Sequence, residues 1–319
     1  MKILVIQNRM GIGDMVIFLP FIEAISNNFN SPVKLLVKES SKANEYLNNN
    51  DKINKIINLK RNSNNNDYHD GILGFFRLAK ELKKYSFDKV FIFNSSVRYY
   101  LVCKIASIKE IYQYPLLKKN KQHIIDAAKN LLFSKLNLKV ESNPEIFIDN
   151  NLINEAKEKF SINNHQINIL LGIGGSGPTK RTPAEKFIKF IKLCLDHYDC
   201  KFFLATGKKE EEQKILKEIM LVYKNKCVSL DNLSIAEHLP IIKNCKISIC
   251  NDSSFSHLSA SLGLPTIVLM CDTPLLYGDY SPKMHPIIPD GIKNVTHGTN
   301  GKEKINPEKI FKIFKEIVT

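Results

Sequence analysis

The stretch KILVIQNRMGIGDMVIFLPFIEAI, residues 2–25, decides the fold at the start of the chain. Its first six residues form a short apolar run that is typical of a buried strand. A glycine-containing turn follows at once, and apolar residues then recur at helical spacing. The stretch therefore predicts a strand, a tight turn and a helix, which is the unit from which parallel α/β sheets are built.

This alternation continues along the chain and restarts near its middle. Further strands are predicted at 33–38, 53–60, 87–94, 167–174, 201–206, 247–250 and 266–270. Helices are predicted between them, at 74–85, 98–106, 123–136, 184–198 and 210–221. The pattern predicts an α/β fold of two Rossmann-like domains with parallel sheets, residues 1–150 and 151–319, that face a central cleft. The final helix, 306–318, could pack back on the first domain.

Composition narrows the class of protein. The seven cysteines are scattered without a CxxC pair, which predicts reduced thiols in a cytoplasmic protein and neither a structural zinc site nor a disulfide framework. No run approaches about 18 consecutive apolar residues, so we expect no membrane-spanning helix. The apolar start of the chain has no small-residue cleavage pattern and is interpreted as a strand, not as a signal peptide.

The formal net charge of +14 would suit a nucleic acid, an anionic membrane surface or a phosphorylated ligand. A residue usage that drifts towards Lys and Asn throughout the chain explains the charge equally well. Because no nucleic-acid-binding motif accompanies the basic residues, we expect no nucleic-acid partner.

The turn NRMGIGDM places Asp14 at the start of the first predicted helix. Gly11 and Gly13 permit a tight turn and close approach of a ligand, but the third glycine of a dinucleotide-binding fingerprint is missing. Two interpretations of Asp14 are open. It is either an N-cap or a carboxylate able to accept a proton from a hydroxyl.

A second glycine-rich loop, GIGGSGPTKRTP at 172–183, precedes the helix that begins at Pro183 with Thr182 as its expected cap. It lacks the Walker pattern. Lys180 and Arg181 lie just before the positive end of this helix, so the loop, with Thr179, predicts a phosphate cradle. A solvated basic turn is the alternative.

The third stretch, NDSSFSHLSASLGLP at 251–265, predicts a helix that starts at Asp252 or Ser253 and ends at Gly263. His257 would lie about one turn into this helix, where it could bind a phosphate held by the free N–H groups of Ser253 and Ser254. A capped helix with a histidine packed beside it is the alternative. The glutamates at 210–212 are candidates to lie near a ribose, although such a run is more often the acidic first turn of a helix.

Together, these loops resemble glycosyltransferase family 9, which includes the heptosyltransferases of lipopolysaccharide core synthesis. The segments that carry the resemblance are GIGDMVIFLPFIEAI, GGSGPTKRTPAEKF, NDSSFSHLSASLGLPTIVLMCDTPLLYGDYSP and the tail INPEKIFKIFKEI. They occur in the family's order and span nearly the whole chain. The resemblance implies a GT-B architecture, with a nucleotide-sugar donor bound mainly by the C-terminal half and an acceptor bound by the N-terminal half.

The resemblance also implies roles for individual residues. Asp14 falls on the family's catalytic aspartate and Lys180 on its phosphate-contacting base. Asp252, Ser254 and His257 fall on the donor-binding positions of the last motif. The chain departs from the family's pattern in three places. Ser254 replaces a glycine, and Thr182 replaces a tryptophan. The glutamate run is shifted by about one position, with Glu211 as the candidate ribose contact.

The function implied is an inverting, metal-independent transfer of a sugar, heptose from an ADP-sugar, to a lipopolysaccharide core or related glycan. No further cofactor or metal is expected. An anionic glycolipid acceptor would bring the protein to the inner face of the inner membrane. A nucleotide-sugar-binding protein without transferase activity and a nucleotide-sugar epimerase of the same fold remain the alternatives.

Overall fold

The computed structural model describes residues 1–9, 11–61, 67–116 and 123–319. These residues form two compact units, Met1–Pro144 and Glu145–Thr319. Each unit has one sheet in which every paired strand is parallel. The predicted α/β fold class with two Rossmann-like domains is therefore confirmed.

The sheet of the first unit has five strands. The elements of this unit are β1 (Ile3–Gln7), α1 (Ile12–Asn28), β2 (Val33–Lys38), β3 (Ile53–Leu59), α2 (Gly71–Lys83), β4 (Lys89–Ile92), α3 (Val97–Ile105), β5 (Glu110–Gln113) and α4 (Ile124–Leu136). The strand order is β3-β2-β1-β4-β5. The strands β2 and β3 are therefore added on one side of β1, and β4 and β5 are added on the other side. The strand order reverses where β1 and β4 are neighbours.

The sheet of the second unit has six strands. The elements are α5 (Asn150–Lys159), β6 (Ile167–Gly172), α6 (Ala184–Leu195), β7 (Cys200–Ala205), α7 (Glu210–Tyr223), β8 (Cys227–Ser229), α8 (Ile235–Lys243), β9 (Ile247–Asn251), α9 (Ser254–Ser261), β10 (Thr266–Leu269), β11 (Met284–Ile287) and α10 (Pro307–Val318). The strand order is β11-β10-β9-β6-β7-β8, so the reversal falls between β6 and β9. This is the strand order of a dinucleotide-binding sheet, in which ligands bind at the reversal.

The final helix belongs to the core of the second unit. Ile310, Phe311 and Phe314 of α10 are buried, and α10 packs against α6. The rings of Phe190 and Phe314 meet edge to face with their centroids 5.8 Å apart. The apolar face of α10 is thus covered within the unit that contains it, by α6.

All seven cysteines lie in the described ranges, and each is buried and free. Burial raises the pKa of Cys103 and Cys227 to about 12, so neither thiol is ionised near neutral pH. This agrees with the expectation of reduced thiols without a disulfide framework. Within the described ranges, no helix is both long and apolar enough to span a bilayer.

Gly74 is required where α2 passes close to the preceding loop. A Cβ at this position would lie 2.2 Å from the carbonyl carbon of His69. We expect Gly74→Ala to lower the free energy of unfolding by about 1–3 kcal/mol, because relief of the clash requires the backbone to move. Alanine otherwise favours a helix by about 1 kcal/mol over glycine, so a purely local effect would have the opposite sign.

Gly177→Ala is the matched control, since the nearest atom to its Cβ, outside its chain neighbours, is Thr179 Oγ1 at 3.9 Å. Urea denaturation followed by circular dichroism would compare the two variants with the wild type. Equal stability of Gly74→Ala and the wild type would contradict the close approach.

Candidate functional site

The candidate site of the second unit lies at the carboxyl ends of β6 and β9. The loop after β6 carries Lys180 and Arg181, and the chain after β9 carries Asp252 and leads into α9. These two loops leave neighbouring strands at the point where the strand order reverses. Successive crossovers cover opposite faces of the sheet there, and the loops open a crevice between them.

The structure brings Lys180, Asp252 and His257 together at the ends of these strands. The Lys180 ammonium Nζ lies 2.8 Å from Oδ2 of Asp252. Nε2 of His257 lies 3.9 Å from the other carboxylate oxygen, Oδ1. Two basic side chains from separate segments therefore converge on one carboxylate, which is itself only 5% exposed.

The charge of Asp252 is maintained against its burial. Desolvation alone would raise the pKa of this carboxyl, but the positive charge of Lys180, the charge of His257 and the hydrogen bond from Lys180 together hold it below its usual range. Asp252 is thus a carboxylate near neutral pH. The pair with Lys180 stabilises it, because a buried carboxylate without a partner would cost several kcal/mol.

Tyr280 fixes the orientation of the His257 ring, a role that the sequence did not reveal. Its hydroxyl lies 2.8 Å from Nδ1 of His257, and the two rings stack with their centroids 5.6 Å apart. Burial and the nearby Asp252 charge raise the pKa of Tyr280, so the phenol keeps its proton. The GDYSP segment that contains Tyr280 was part of the family resemblance, but its spacing gave no reason to place this side chain on His257.

Arg181 is buried and holds the glycine loop in place. Its Nε donates to the backbone oxygen of Gly175 at 2.9 Å, and its Nη1 forms an ion pair with Glu211. Glu211, predicted to contact a ribose, therefore lies at the edge of this loop. The structure pairs the two residues with each other.

Glu212, the neighbour of Glu211, is the glutamate of this run that is buried. Its Oε1 accepts a hydrogen bond from the N–H of Gly175 at 2.9 Å. A Cβ on Gly174 or Gly207 would lie 2.7 Å or less from its carboxylate, so two glycines make room for it. Glu212 is in phase with the buried Leu216 and Ile219 of α7, a spacing that could have identified it.

Thr182 is not the cap of α6, since Pro183 occupies that position and no side chain caps the helix. Thr182 is instead fully buried, with its Oγ1 3.5 Å from Sγ of Cys271 and its N–H donating to Oδ1 of Asn251. The prediction was wrong because the Thr182 hydroxyl is buried against Cys271 and Pro183 takes the cap position. A close-packed threonine stands here in place of the family's tryptophan.

Thr179 lies beside Asp272 rather than beside Asp252. Asp272 is desolvated, which would raise its pKa, but hydrogen bonds from the backbone of Asn300 and from the Thr179 side chain hold it below its usual range. The threonine thus links the glycine loop to the segment after β10.

The start of α9 agrees with the prediction. Ser253 is its N-cap residue, and His257 is the fourth residue of the helix. The Ser253 side chain caps no backbone N–H, and its buried Oγ has no hydrogen-bond partner among the described residues. At the other end, Gly263 has φ of +84°, the left-handed conformation expected of a glycine that ends a helix.

Asp14 is not an N-cap. Gly11 occupies the N-cap position of α1, and Gly13 and Asp14 follow as its second and third residues. The Asp14 carboxylate lies 3.3 Å from Nη1 of Arg9 and remains partly exposed. Arg9 also lines a cavity of about 190 Å³, near the point where the first sheet reverses between β1 and β4. Among the described residues, no backbone N–H donates to the Asp14 carboxylate, which therefore remains available for other chemistry.

The lowered pKa of Asp252 predicts a loss of stability in acid. A carboxyl whose pKa is lower in the folded state stabilises the protein above its unfolded pKa, and this contribution disappears as pH falls through the folded pKa. We therefore expect the difference in unfolding free energy between the wild type and Asp252→Asn to be constant at neutral pH and to shrink below about pH 4.

Urea denaturation of both proteins at several pH values would measure this difference in unfolding free energy. The contributions of acid groups that both proteins share are removed when the two values are subtracted. A difference that does not change with pH would contradict the assignment of a charged Asp252.

The chain is similar to proteins of one known family. The sequence matches the model of glycosyltransferase family 9 (heptosyltransferase) over residues 75–312. Lipopolysaccharide heptosyltransferase 1 of Campylobacter coli is 28% identical over 182 residues, which are 53% of this chain and 52% of that protein. The chain thus spans about half the length of this curated relative.

Two solved structures share the fold along almost their whole length. A family 9 glycosyl transferase from Veillonella parvula has a TM-score of 0.79 at 19% identity, covering 99% of this chain and 96% of that one. The E. coli ADP-heptose lps heptosyltransferase II has a TM-score of 0.74 at 17% identity, covering 99% and 98%. At such identities the likeness shows a common fold.

The range matched by the family model contains Lys180, Asp252 and His257, whereas Asp14 precedes it. The match extends over more than half of the chain, with nearly half of the first unit and most of the second. The chain belongs to glycosyltransferase family 9.

Proposed function

We propose that this protein is an inverting glycosyltransferase whose second unit binds the diphosphate of a nucleotide-sugar donor. The observation that carries the proposal is the convergence of Lys180 and His257 on Asp252 at the reversal of the sheet. Ligands of doubly wound sheets bind at this position, and basic side chains there suit an anionic group.

The negative charge of the donor's diphosphate would be stabilised by backbone N–H groups and a lysine that the fold already holds in place. The start of α9 presents backbone N–H groups near Ser253 and Ser254, and Lys180 adds a full positive charge. A diphosphate would share the Lys180 ammonium with Asp252. Arg181 is engaged by Gly175 and Glu211, so we assign it the positioning of the loop that carries Lys180.

We further propose that the donor is ADP-heptose and that the acceptor is a glycan of the lipopolysaccharide core. The names of the Campylobacter coli relative and the E. coli structural neighbour support this choice. The acceptor would be an anionic glycolipid, which the protein would meet at the inner face of the inner membrane from the cytoplasm.

In the proposed reaction, Asp14 accepts the proton of an acceptor hydroxyl while that oxygen attacks the anomeric carbon from the face opposite the diphosphate. The bond from the anomeric carbon to the diphosphate oxygen breaks, and its electron pair leaves with the nucleoside diphosphate. Lys180, His257 and the amides of α9 stabilise that charge. Electrostatic stabilisation of this kind contributes about 2.7–4 kcal/mol per donor group. These groups would make a metal ion unnecessary for departure of the leaving group.

The choice of Asp14 as base rests on its local structure. It lies in the first turn of α1 without capping it, and Arg9 is its ion-pair partner at 3.3 Å. A carboxylate that accepts capping hydrogen bonds is a poorer base, because those bonds stabilise its charged form.

Nucleotide binding gives the first test of the donor site. We expect ADP to raise the melting temperature of the wild type more than UDP, GDP or CMP, since a ligand bound by the folded state stabilises it. Lys180→Gln should weaken ADP binding by about tenfold or more, the effect of one lost charge-assisted hydrogen bond. Lys217→Gln, on the exposed face of α7, is the control. Absence of any nucleotide effect on the wild type would overturn the donor site.

Sugar transfer gives the second test. We expect Asp14→Asn to lower kcat by about 10²–10⁴-fold, the usual contribution of a general base, while ADP binding stays unchanged. Asp126→Asn removes an exposed aspartate from the first turn of α4 and is the matched control.

The measurement is transfer from ADP-heptose to a core acceptor, with and without EDTA, and transfer should persist in EDTA. Full activity of Asp14→Asn would remove the base assignment. Donor binding without transfer would favour a nucleotide-sugar-binding protein, and interconversion of the sugar without acceptor would favour an epimerase.

A further inference from the structure

The outward face of α2 is divided into an apolar end and a basic end. Ile72, Leu73 and Phe76, which we call the apolar tip, are 77%, 70% and 54% exposed. They occupy the first turns of the helix. The remaining exposed positions carry positive charge, with Arg77 and Lys80 following the tip directly. Large apolar side chains that are exposed together on one helix point to an interaction surface.

A basic cleft lies beside this helix. It has a volume of about 770 Å³ and is lined by Arg77 and Lys80 of α2, by Lys84 directly after α2 and by Lys60, which follows β3. The lining also includes Glu81, whose carboxylate lies 3.1 Å from Nε2 of His69. The lining thus contains four positively charged side chains and one carboxylate, which already has a partner. This excess of positive charge suits the cleft to anionic groups.

Two tyrosines line the cleft. Tyr68 is 54% exposed, and the guanidinium of Arg77 lies over its ring, 5.0 Å from the centroid. The ring of Tyr85 has the Lys55 ammonium 5.1 Å from its centre. Tyrosine has an apolar ring and a polar hydroxyl, so it is suited to the boundary between water and the bilayer interior.

We propose that α2 is the membrane-docking helix of this protein and that its partner is the surface of an anionic phospholipid bilayer. The apolar tip would enter the boundary between headgroups and acyl chains, and the basic cleft would bind headgroup phosphates. Charge complementarity selects this partner, because lysines near an anionic surface each contribute about fivefold to binding, whereas a tip of three side chains alone gives weak attachment.

The docking helix lies at the functional edge of its sheet. α1 follows β1 and α2 follows β3, and because these strands are parallel, both helices begin at the carboxyl edge of the first sheet. The tip and Asp14 therefore occupy the same edge. The biological meaning of docking rests on the proposed transfer to a glycolipid, but docking itself requires neither donor nor transfer.

The chain contains no tryptophan, which provides a direct test. Leu73→Trp introduces a single fluorescent reporter at the tip. With vesicles of phosphatidylcholine and phosphatidylglycerol we expect a blue shift of its emission and quenching by lipids brominated in the acyl chain. Vesicles of phosphatidylcholine alone should give neither. Leu221→Trp is the matched control, since Leu221 is an 85% exposed leucine on α7 of the second unit.

Vesicle flotation separates the two parts of the surface. At low salt we expect the double variant Ile72→Ser, Phe76→Ser to lose about tenfold or more in partitioning, from the lost burial of apolar area. The double variant Lys80→Gln, Lys84→Gln should lose about fivefold for each lysine, and only where the lipid is anionic. Lys214→Gln, Lys217→Gln removes two lysines from α7 and should bind as the wild type does.

Several outcomes would overturn the proposal. Equal losses in the α2 and α7 lysine variants would assign binding to net charge instead. An emission shift of Leu73→Trp that depends on protein concentration without vesicles would indicate self-association. Displacement from vesicles by inorganic phosphate alone, at constant ionic strength, would make the cleft a phosphate site. The ADP thermal shift should be unchanged in every α2 variant, so failure of docking and failure of the donor site are distinguishable.

Discussion

The constraint on which this structure depends is the reversal of strand order in each parallel sheet. β6 pairs with β7 on one side and with β9 on the other, so the loops that leave β6 and β9 diverge and open a crevice between them. Elsewhere the central strands are buried on both faces and are mostly apolar. Charged side chains therefore gather where the strands end, and in the second unit these include Lys180 and Asp252.

The ion pair between Lys180 and Asp252 stabilises a buried charge and also holds the lysine in one position. Asp252 is buried, so its charge requires the Lys180 ammonium, and Lys180 in turn is held in one place by Asp252. A lysine fixed in this way loses less side-chain freedom when an anion binds than a solvated lysine would. The hydrogen bonds of Arg181 and Glu212 to Gly175 restrict the same loop. Stability and the proposed donor recognition would thus draw on the same contacts.

The sequence predicted the buried elements well, because uninterrupted apolar runs mark central parallel strands. The edge strands β5 and β11 were missed, since they are four residues long, partly exposed and, in β11, contain a proline. At the site, glycine loops and the helix start identified Lys180, Asp252 and His257 separately. The pairing of Lys180 with Asp252 joins residues 72 positions apart and follows from strand order, as does the contact of Tyr280 with His257. Local patterns carry no information about such pairs.

The proposed docking helix also bears on the origin of the basic charge. A general drift of composition towards Lys and Asn accounts for lysines on exposed positions of every helix. It gives no reason for Ile72, Leu73 and Phe76 to be exposed together on α2. The proposed contact with an anionic bilayer would account for the apolar tip and the basic cleft together, because acyl chains and anionic headgroups lie a few ångströms apart at its surface.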